Sequence, residues 1–348
     1  MEQKKEKNKK RRTVAWVVIG LLVIGIVTIA IAYRAVFAPI EIADTEYIYI
    51  GEEDGYDDVV EQLKAVGAMP NETIFNIIAK RMKYPERVKT GRYAIDDGMT
   101  MPEIIRNLRS GNQSPVKLTF NNIRTMESLA GRLSKQLMMD SLSLLTQLND
   151  TALMAKYGFN EQTFCSMFIP NTYEVYWDTP IENLLDRMKK EYDTFWNDNR
   201  LAKAKSIGLT PVEVSTLASI VEEEATFEDE YPIVARLYLN RINRGMRLEA
   251  DPTVKFAVGD PTLRRILFKH LEVESPYNTY KIDGLPPGPI RIPGPQSIDA
   301  TLSPATHNYL FMCAKADLSG RHNFSTTHAE HARNAAAYQR ALNERGIF

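Results

Sequence analysis

Cysteine is almost missing from this chain of 348 residues: only Cys165 and Cys313 are present, 148 positions apart. Two thiols exclude a disulfide-dense scaffold and a zinc site built from four cysteines; they read as separate buried thiols or as a single disulfide. An excess of one charge is missing too. Forty-three Lys and Arg meet 44 Asp and Glu, which argues against nucleic-acid binding through a globally basic surface. No GxSxG, phosphate loop, GxGxxG or HExxH occurs, so the motifs of serine-hydrolase, nucleotide and zinc-protease chemistry are absent. There is no internal repeat. At 44% hydrophobic and 25% charged the composition is that of a folding chain, and the length fits two folded units.

Charge is balanced globally and not locally. Residues 1–12 hold seven Lys or Arg against two Glu, a charge of +5, so the other 336 residues carry −6. Residues 14–33 (VAWVVIGLLVIGIVTIAIAY) contain no charge. A twenty-residue helix is about 30 Å long, the thickness of a bilayer's hydrocarbon core. The run is too long for the apolar region of a cleaved signal peptide, although AIA at 30–32 resembles a cleavage site. We read a basic tail (1–12) and an uncleaved membrane helix (13–33). The positive-inside rule then places the tail in the cytoplasm and everything after Ala38, Phe348 included, outside it.

Beyond the anchor the pattern predicts an α+β chain in two parts. Residues 45–50 (TEYIYI) alternate as a strand does, Val59, Val60, Leu63 and Val66 have helical spacing, and a second helical run carries Ile74, Ile77, Ile78 and Met82. GRYAI (91–95) reads as a returning strand, and Thr100 with Glu103 forms a capping box for a helix closed by Gly111. The result is a β-α-α-β-α module over 43–112. From 115 to 348 strands and helices mix: a Thr125-capped helix carries Leu129, Leu133 and Leu137, helical patterns fill 180–207, and a Pro-, Gly-, Asn- and Tyr-rich stretch runs from 245 to 295. Long loops on a helical scaffold are where function concentrates.

The best-defined helix begins at Thr210, with Pro211 at its first position and Glu213 completing a capping box, and ends on Glu222, Glu223 and Glu224. Negative charge in a C-terminal turn opposes the helix dipole at roughly 0.3–1 kcal/mol per residue. Three or four residues before Glu222 stand Ser219 and Ala218, with Ser215 a turn further back; the same steps from Glu224 reach Val221, Ile220 and Leu217. Glu222 thus rises from a face of small side chains with room for a ligand, where a carboxyl beside like charges would have a raised pKa suited to a general acid. Glu224 emerges beside the buried stripe, as an anchor for a buried hydrogen bond. A solvated acidic helix end is the plain alternative. His322, His328, His331 and Glu330 lie close together without metal-site spacing and fit capping or hydrogen-bonding roles; no metal or cofactor is expected. Tyr277, Asn278, Thr279 and Tyr280 beside GLPPGPI form either a sugar-binding surface or a rigid turn.

Four ordered blocks, SIVEEEA (219–225), LNRINRGMRLEADPTV (239–254), SPYNTYKIDGLPPGPI (275–290) and HNFSTTHAEH (322–331), with IPNTY (169–173), resemble the endolytic murein transglycosylases of the YceG-like family. The resemblance implies a LysM-like module at 43–112 and a transglycosylase domain at 115–348. It further implies a single-pass inner-membrane enzyme whose periplasmic domain cuts peptidoglycan glycan strands, with a peptidoglycan synthase as partner. Glu222 is then the catalytic glutamate, and Asn171, Tyr173, Asn240, Asp251, Thr253, Tyr277, Asn278, Thr279, His322, Asn323 and Ser325 bind substrate. One group serving as acid and then base would close the MurNAc C6 hydroxyl onto C1 without a second carboxylate. Departures from the family pattern stand at Glu223, commonly lysine, at Glu249, commonly an amide, and at Ile292, commonly asparagine. A peptidoglycan-binding scaffold and a water-using hydrolase are the competing readings.

Overall fold

The computed structural model describes residues 1–260, 263 and 265–346, with residues 2–11 as backbone alone. Phe348 lies outside the described residues. Helix α1 (Glu2–Phe37) contains a stretch, Arg12–Phe37, with a mean hydropathy of 2.9 and none of it buried in protein. Among the described residues this is the one helix long and apolar enough to cross a membrane.

One compact unit comprises residues 1–116 with 174–178. Strands β1 (Glu46–Ile50) and β2 (Gly91–Ile95) pair antiparallel, with Glu46 opposite Ile95 and Ile50 opposite Gly91. Alternation buries Ile48 and Ile50 and turns Tyr47 and Tyr49 outward, where the Arg92 guanidinium lies 3.5 Å from the Tyr47 ring centre. Helices α2 (Tyr56–Ala65), α3 (Glu72–Arg81) and α4 (Met101–Ser110) share a core of Val59, Leu63, Phe75, Ile104 and Leu108 with the two strands. The Thr100–Glu103 capping box is formed, and Gly111 ends α4 at φ 76°, a left-handed conformation suited to glycine. In α3 Phe75 and Ala79 are fully buried, Ile74, Ile78 and Met82 of the periodic set pack half-buried against the same core, and Ile77 is exposed.

The second unit comprises residues 117–173 and 179–348. Strand β3 (Val116–Phe120) is followed by α5 (Met126–Ser134), α6 (Ser141–Leu148) and α7 (Thr151–Lys156), and β4 (Asn171–Val175) returns to pair with β3. The helical stretch at 180–207 is two helices, α8 (Ile181–Phe195) and α9 (Asp198–Ser206), because Asn197 leaves the helix to cap the Arg200 N–H.

Next come α10 (Pro211–Glu224), α11 (Tyr231–Asn243), the short α12 (Asp251–Val258) and α13 (Phe268–Leu271), and α14 (Pro295–Leu302). A hairpin of β5 (Phe311–Ala314) and β6 (His322–Ser325) and the final α15 (His328–Glu344) complete the unit. Every residue of α10 from Val214 to Val221 is buried, as befits a helix enclosed by others. In GLPPGPI, a Cβ on Gly288 would fall 1.9 Å from the Gln162 carbonyl oxygen, so the loop's seat admits glycine alone. Cys165 and Cys313 are separate thiols, and burial pushes Cys165 up to about 12.

Candidate active site

The last turn of α10 sends its three carboxylates to different surroundings. Ser215, Ala218 and Ser219 are fully buried, so the small-residue face below Glu222 is not open to a ligand. Its small side chains instead let α14 and the 290s loop approach: the Ile290 N–H donates to Ser219 Oγ at 3.0 Å. Glu222 completes that packing. Its Oε2 accepts the Gly294 N–H at 2.7 Å and the Ser297 hydroxyl at 2.8 Å, capping α14, and its Oε1 lies 3.0 Å from Arg291 Nη2.

Arg291 is buried and also reaches Glu223 Oε1 at 2.7 Å, while Arg124 holds Glu223 in a two-pronged pair at 2.9 Å. Two arginines thus offset the like charge that Glu223 adds beside Glu222. The Glu222 side borders a cleft of about 680 Å³ with Asn121, Asn122, Asn171, Thr172 and Gln296.

Glu224 faces a different space, a cavity of about 320 Å³ whose lining includes Tyr238, Arg241, Glu249, Asp251, Tyr280 and His322. The Tyr238 hydroxyl donates to Glu224 Oε1 at 2.9 Å, and no ion pair is formed by Glu224 among the described residues. Burial raises the Glu224 pKa to about 7, with Asp251 and Glu223 pushing the same way and the Tyr238 hydrogen bond opposing them. Near neutral pH this carboxyl is therefore divided between acid and base forms. Across the cavity Tyr280 donates to Asp251 Oδ1 at 2.8 Å, and Arg241 pairs with Glu249. One Glu230 oxygen meets His322 Nδ1 at 2.9 Å and the other accepts the His322 N–H at 3.0 Å.

The sequence-derived binding residues divide accordingly. Asp251 and His322 line the Glu224 cavity, Asn171 borders the Glu222 cleft, and Tyr277 lines a third cavity of about 440 Å³ with Phe256 and Cys165. The others brace the framework. Asn278 is fully buried and donates its amide to the carbonyls of Leu271 and Val273, both at 2.8 Å. Thr253 and Thr279 are buried against each other at 2.8 Å, Asn240 donates to the His307 and Tyr309 carbonyls, and Tyr173 donates to the Ile169 carbonyl.

Ser325 is buried and accepts from Asn334 at 3.0 Å; Asn323 sits in the hairpin opposite Cys313. Phe311 meets His328 edge-on and stacks on His331. Among the described residues no three His, Cys, Asp or Glu side chains are grouped to hold a metal ion. Sequence reasoning missed Tyr238, Arg241, Glu230 and Arg291, whose partners lie up to 169 residues away and leave no periodic trace.

The model of the YceG-like family matches residues 48–337. An endolytic murein transglycosylase of Bacillus subtilis is 28% identical over 299 residues, covering 81% of this chain and 82% of its own length. One of Streptococcus pneumoniae is 26% identical, and the match covers 86% of this chain and 60% of that longer protein. A crystal structure of a yceG-like protein from Listeria monocytogenes superposes with a TM-score of 0.54 at 27% identity, over 83% of this chain and 99% of that one.

Proposed function

The chain belongs to the YceG-like family, and from that premise we propose that it is a membrane-anchored lytic transglycosylase of peptidoglycan in which Glu224 is the general acid. The observation that carries the assignment is the Glu224 carboxyl itself, set in a polar cavity with a tyrosine donor and, among the described residues, no cation paired to it; burial raises its pKa to about 7. Glu222, two residues earlier, has both oxygens committed to Gly294, Ser297 and Arg291, so its part is to hold α14 and the loop before it against α10.

Protonated Glu224 gives its proton to the oxygen between MurNAc and GlcNAc. Tyr238 holds the carboxyl from behind and stabilises the carboxylate that this leaves. The MurNAc C6 hydroxyl passes its proton to a base in the cavity while its oxygen bonds to C1 and the bond from C1 to the glycosidic oxygen breaks, giving a 1,6-anhydro end without consuming water. Asp251, fixed by Tyr280, and Glu249, fixed by Arg241, offer acceptors for sugar hydroxyls along the wall. Helix α1 anchors the chain in the cytoplasmic membrane with its basic tail inside, and the module containing β1 and β2 is a LysM-like unit that presents the glycan. Cleavage within strands would limit their length beside a synthase.

Mass spectrometry of glycan strands digested by the full chain tests this. Anhydro ends are expected; reducing ends would assign a hydrolase, and intact strands a binding scaffold. The same digest with Glu224→Gln and with Glu222→Gln decides which glutamate acts.

A further inference from the structure

Glu230 is a buried carboxylate that the reaction above leaves idle. It lies six residues beyond Glu224, at the start of α11, with a side-chain exposure of 6%, and both its oxygens are turned to one residue, His322 on β6. A carboxylate at Nδ1 fixes that nitrogen as the N–H and leaves Nε2 with its lone pair. His322 lines the Glu224 cavity at 13% side-chain exposure, and Nε2 makes no hydrogen bond among the described residues. A buried acid aligning a histidine toward a cavity that holds a second, proton-bearing acid is the arrangement of a base and its orienting partner.

We infer that His322 is the base that takes the C6 hydroxyl proton while Glu224 serves as the acid, with Glu230 as the positioning residue that holds the imidazole. This rests on the transglycosylase reading and divides between two groups the work that one carboxyl would otherwise do in turn. The C6 hydroxyl proton passes to Nε2, and the oxygen's electron pair forms the bond to C1. The bond from C1 to the glycosidic oxygen breaks, and that oxygen receives the Glu224 proton. Exchange with solvent returns the neutral imidazole and the carboxylic acid. Besides Glu230 and Arg321, 4.0 Å from Glu230, the charged and titratable groups that line the cavity with His322 are Glu224, Tyr238, Arg241, Glu249, Asp251, Tyr280, Cys313 and His331.

The two schemes differ in their pH profiles. A lone Glu224 needs only its proton, so activity on purified glycan strands would fall only as pH rises. An acid and a base together need protonated Glu224 and neutral His322, which gives a bell. With the full chain in detergent, the parent should show a bell. His322→Gln should lower kcat at least ~100-fold with KM nearly unchanged and remove the acidic limb. Glu230→Gln should lower kcat with KM nearly unchanged, because the ring loses the partner that holds it.

Melting temperatures confirm folding, and His322→Asn substitutes should His322→Gln prove unstable. A one-limbed parental profile, or a histidine variant within about threefold of the parent, would overturn the inference. Failure of the underlying reading looks different: an active Glu224→Gln variant, or reducing ends from the parent.

Discussion

Glu222 and Glu224 stand two residues apart on α10, yet one carboxylate receives a backbone N–H, a hydroxyl and a guanidinium, and the other a single tyrosine hydroxyl. Helical geometry turns their side chains to nearly opposite sides of the axis. On one side lies a packed seam with a buried cation, and on the other a cavity that also holds Asp251 and Glu249. The dipole cost of three glutamates in a C-terminal turn is accordingly met in two ways: Arg291 and Arg124 pair with the first two, and burial shifts the third toward its protonated form. Identical side chains become a structural clamp and a candidate acid through what surrounds them.

The largest effect should come from breaking the clamp. Arg291→Met removes a buried cation shared by Glu222 and Glu223 and leaves their carboxylates underpaired, which typically costs about 3–5 kcal/mol. Denaturant unfolding should show it, and a loss under about 1 kcal/mol would mean that Arg124 suffices for both. Next is the chemistry. Glu224→Gln keeps the acceptor for Tyr238 and removes the transferable proton, so release of anhydro ends should drop at least ~100-fold.

The same substitution has a second signature, in stability. In the folded chain the Glu224 pKa lies near 7, above the ordinary 4.5, so the folded state holds the proton longer than the unfolded one. Stability from this group is therefore complete below about pH 4 and is lost as pH rises through 7. Glu224→Gln, which cannot ionise, should exceed the parent by about 3 kcal/mol above pH 8 and match it in acid. Melting curves at pH 4 and pH 8.5 check the sign; equal differences at both would remove the burial argument. The sequence had favoured the reverse, a Glu224 variant that loses stability first, because a residue beside an apolar stripe reads as an anchor.

Much of the framework was legible because it is local. Thr100, Thr210 and Gly111 mark helix ends through contacts within a few residues, and strand alternation in 45–50 names Ile48 and Ile50 as core. The site was legible only as a short list. Helical spacing separated Glu222 from Glu224 correctly, but small neighbours have two meanings. Ser215, Ala218 and Ser219 leave space that a ligand or another helix can fill, and here α14 and the 290s loop fill it. The NTY segment at 278–280 shows the same ambiguity: Asn278 and Thr279 are buried braces, whereas Tyr280 reaches the cavity. Asn278→Ala would strand the Leu271 and Val273 carbonyls, so a loss of about 1–3 kcal/mol is expected, with activity falling in step. Weaker glycan binding at an unchanged melting temperature would return Asn278 to the groove.

The smallest effect is the most discriminating. In Glu222→Gln the amide oxygen can still accept from Gly294 and Ser297, but its NH₂ group then faces the Arg291 guanidinium, donor against donor. The cap on α14 also loses its charge, worth roughly 0.3–1 kcal/mol. A stability loss of about 1 kcal/mol is expected, with the rate of anhydro-end formation within about threefold of the parent once folding is matched. The reading that places the acid at Glu222 requires the converse, a stable protein with no activity. Measured side by side, Glu222→Gln and Glu224→Gln must therefore exchange phenotypes if the clamp and the acid have been assigned the wrong way round. An inactive, fully stable Glu222→Gln protein would show that a carboxylate tied down by Arg291 can still deliver a proton.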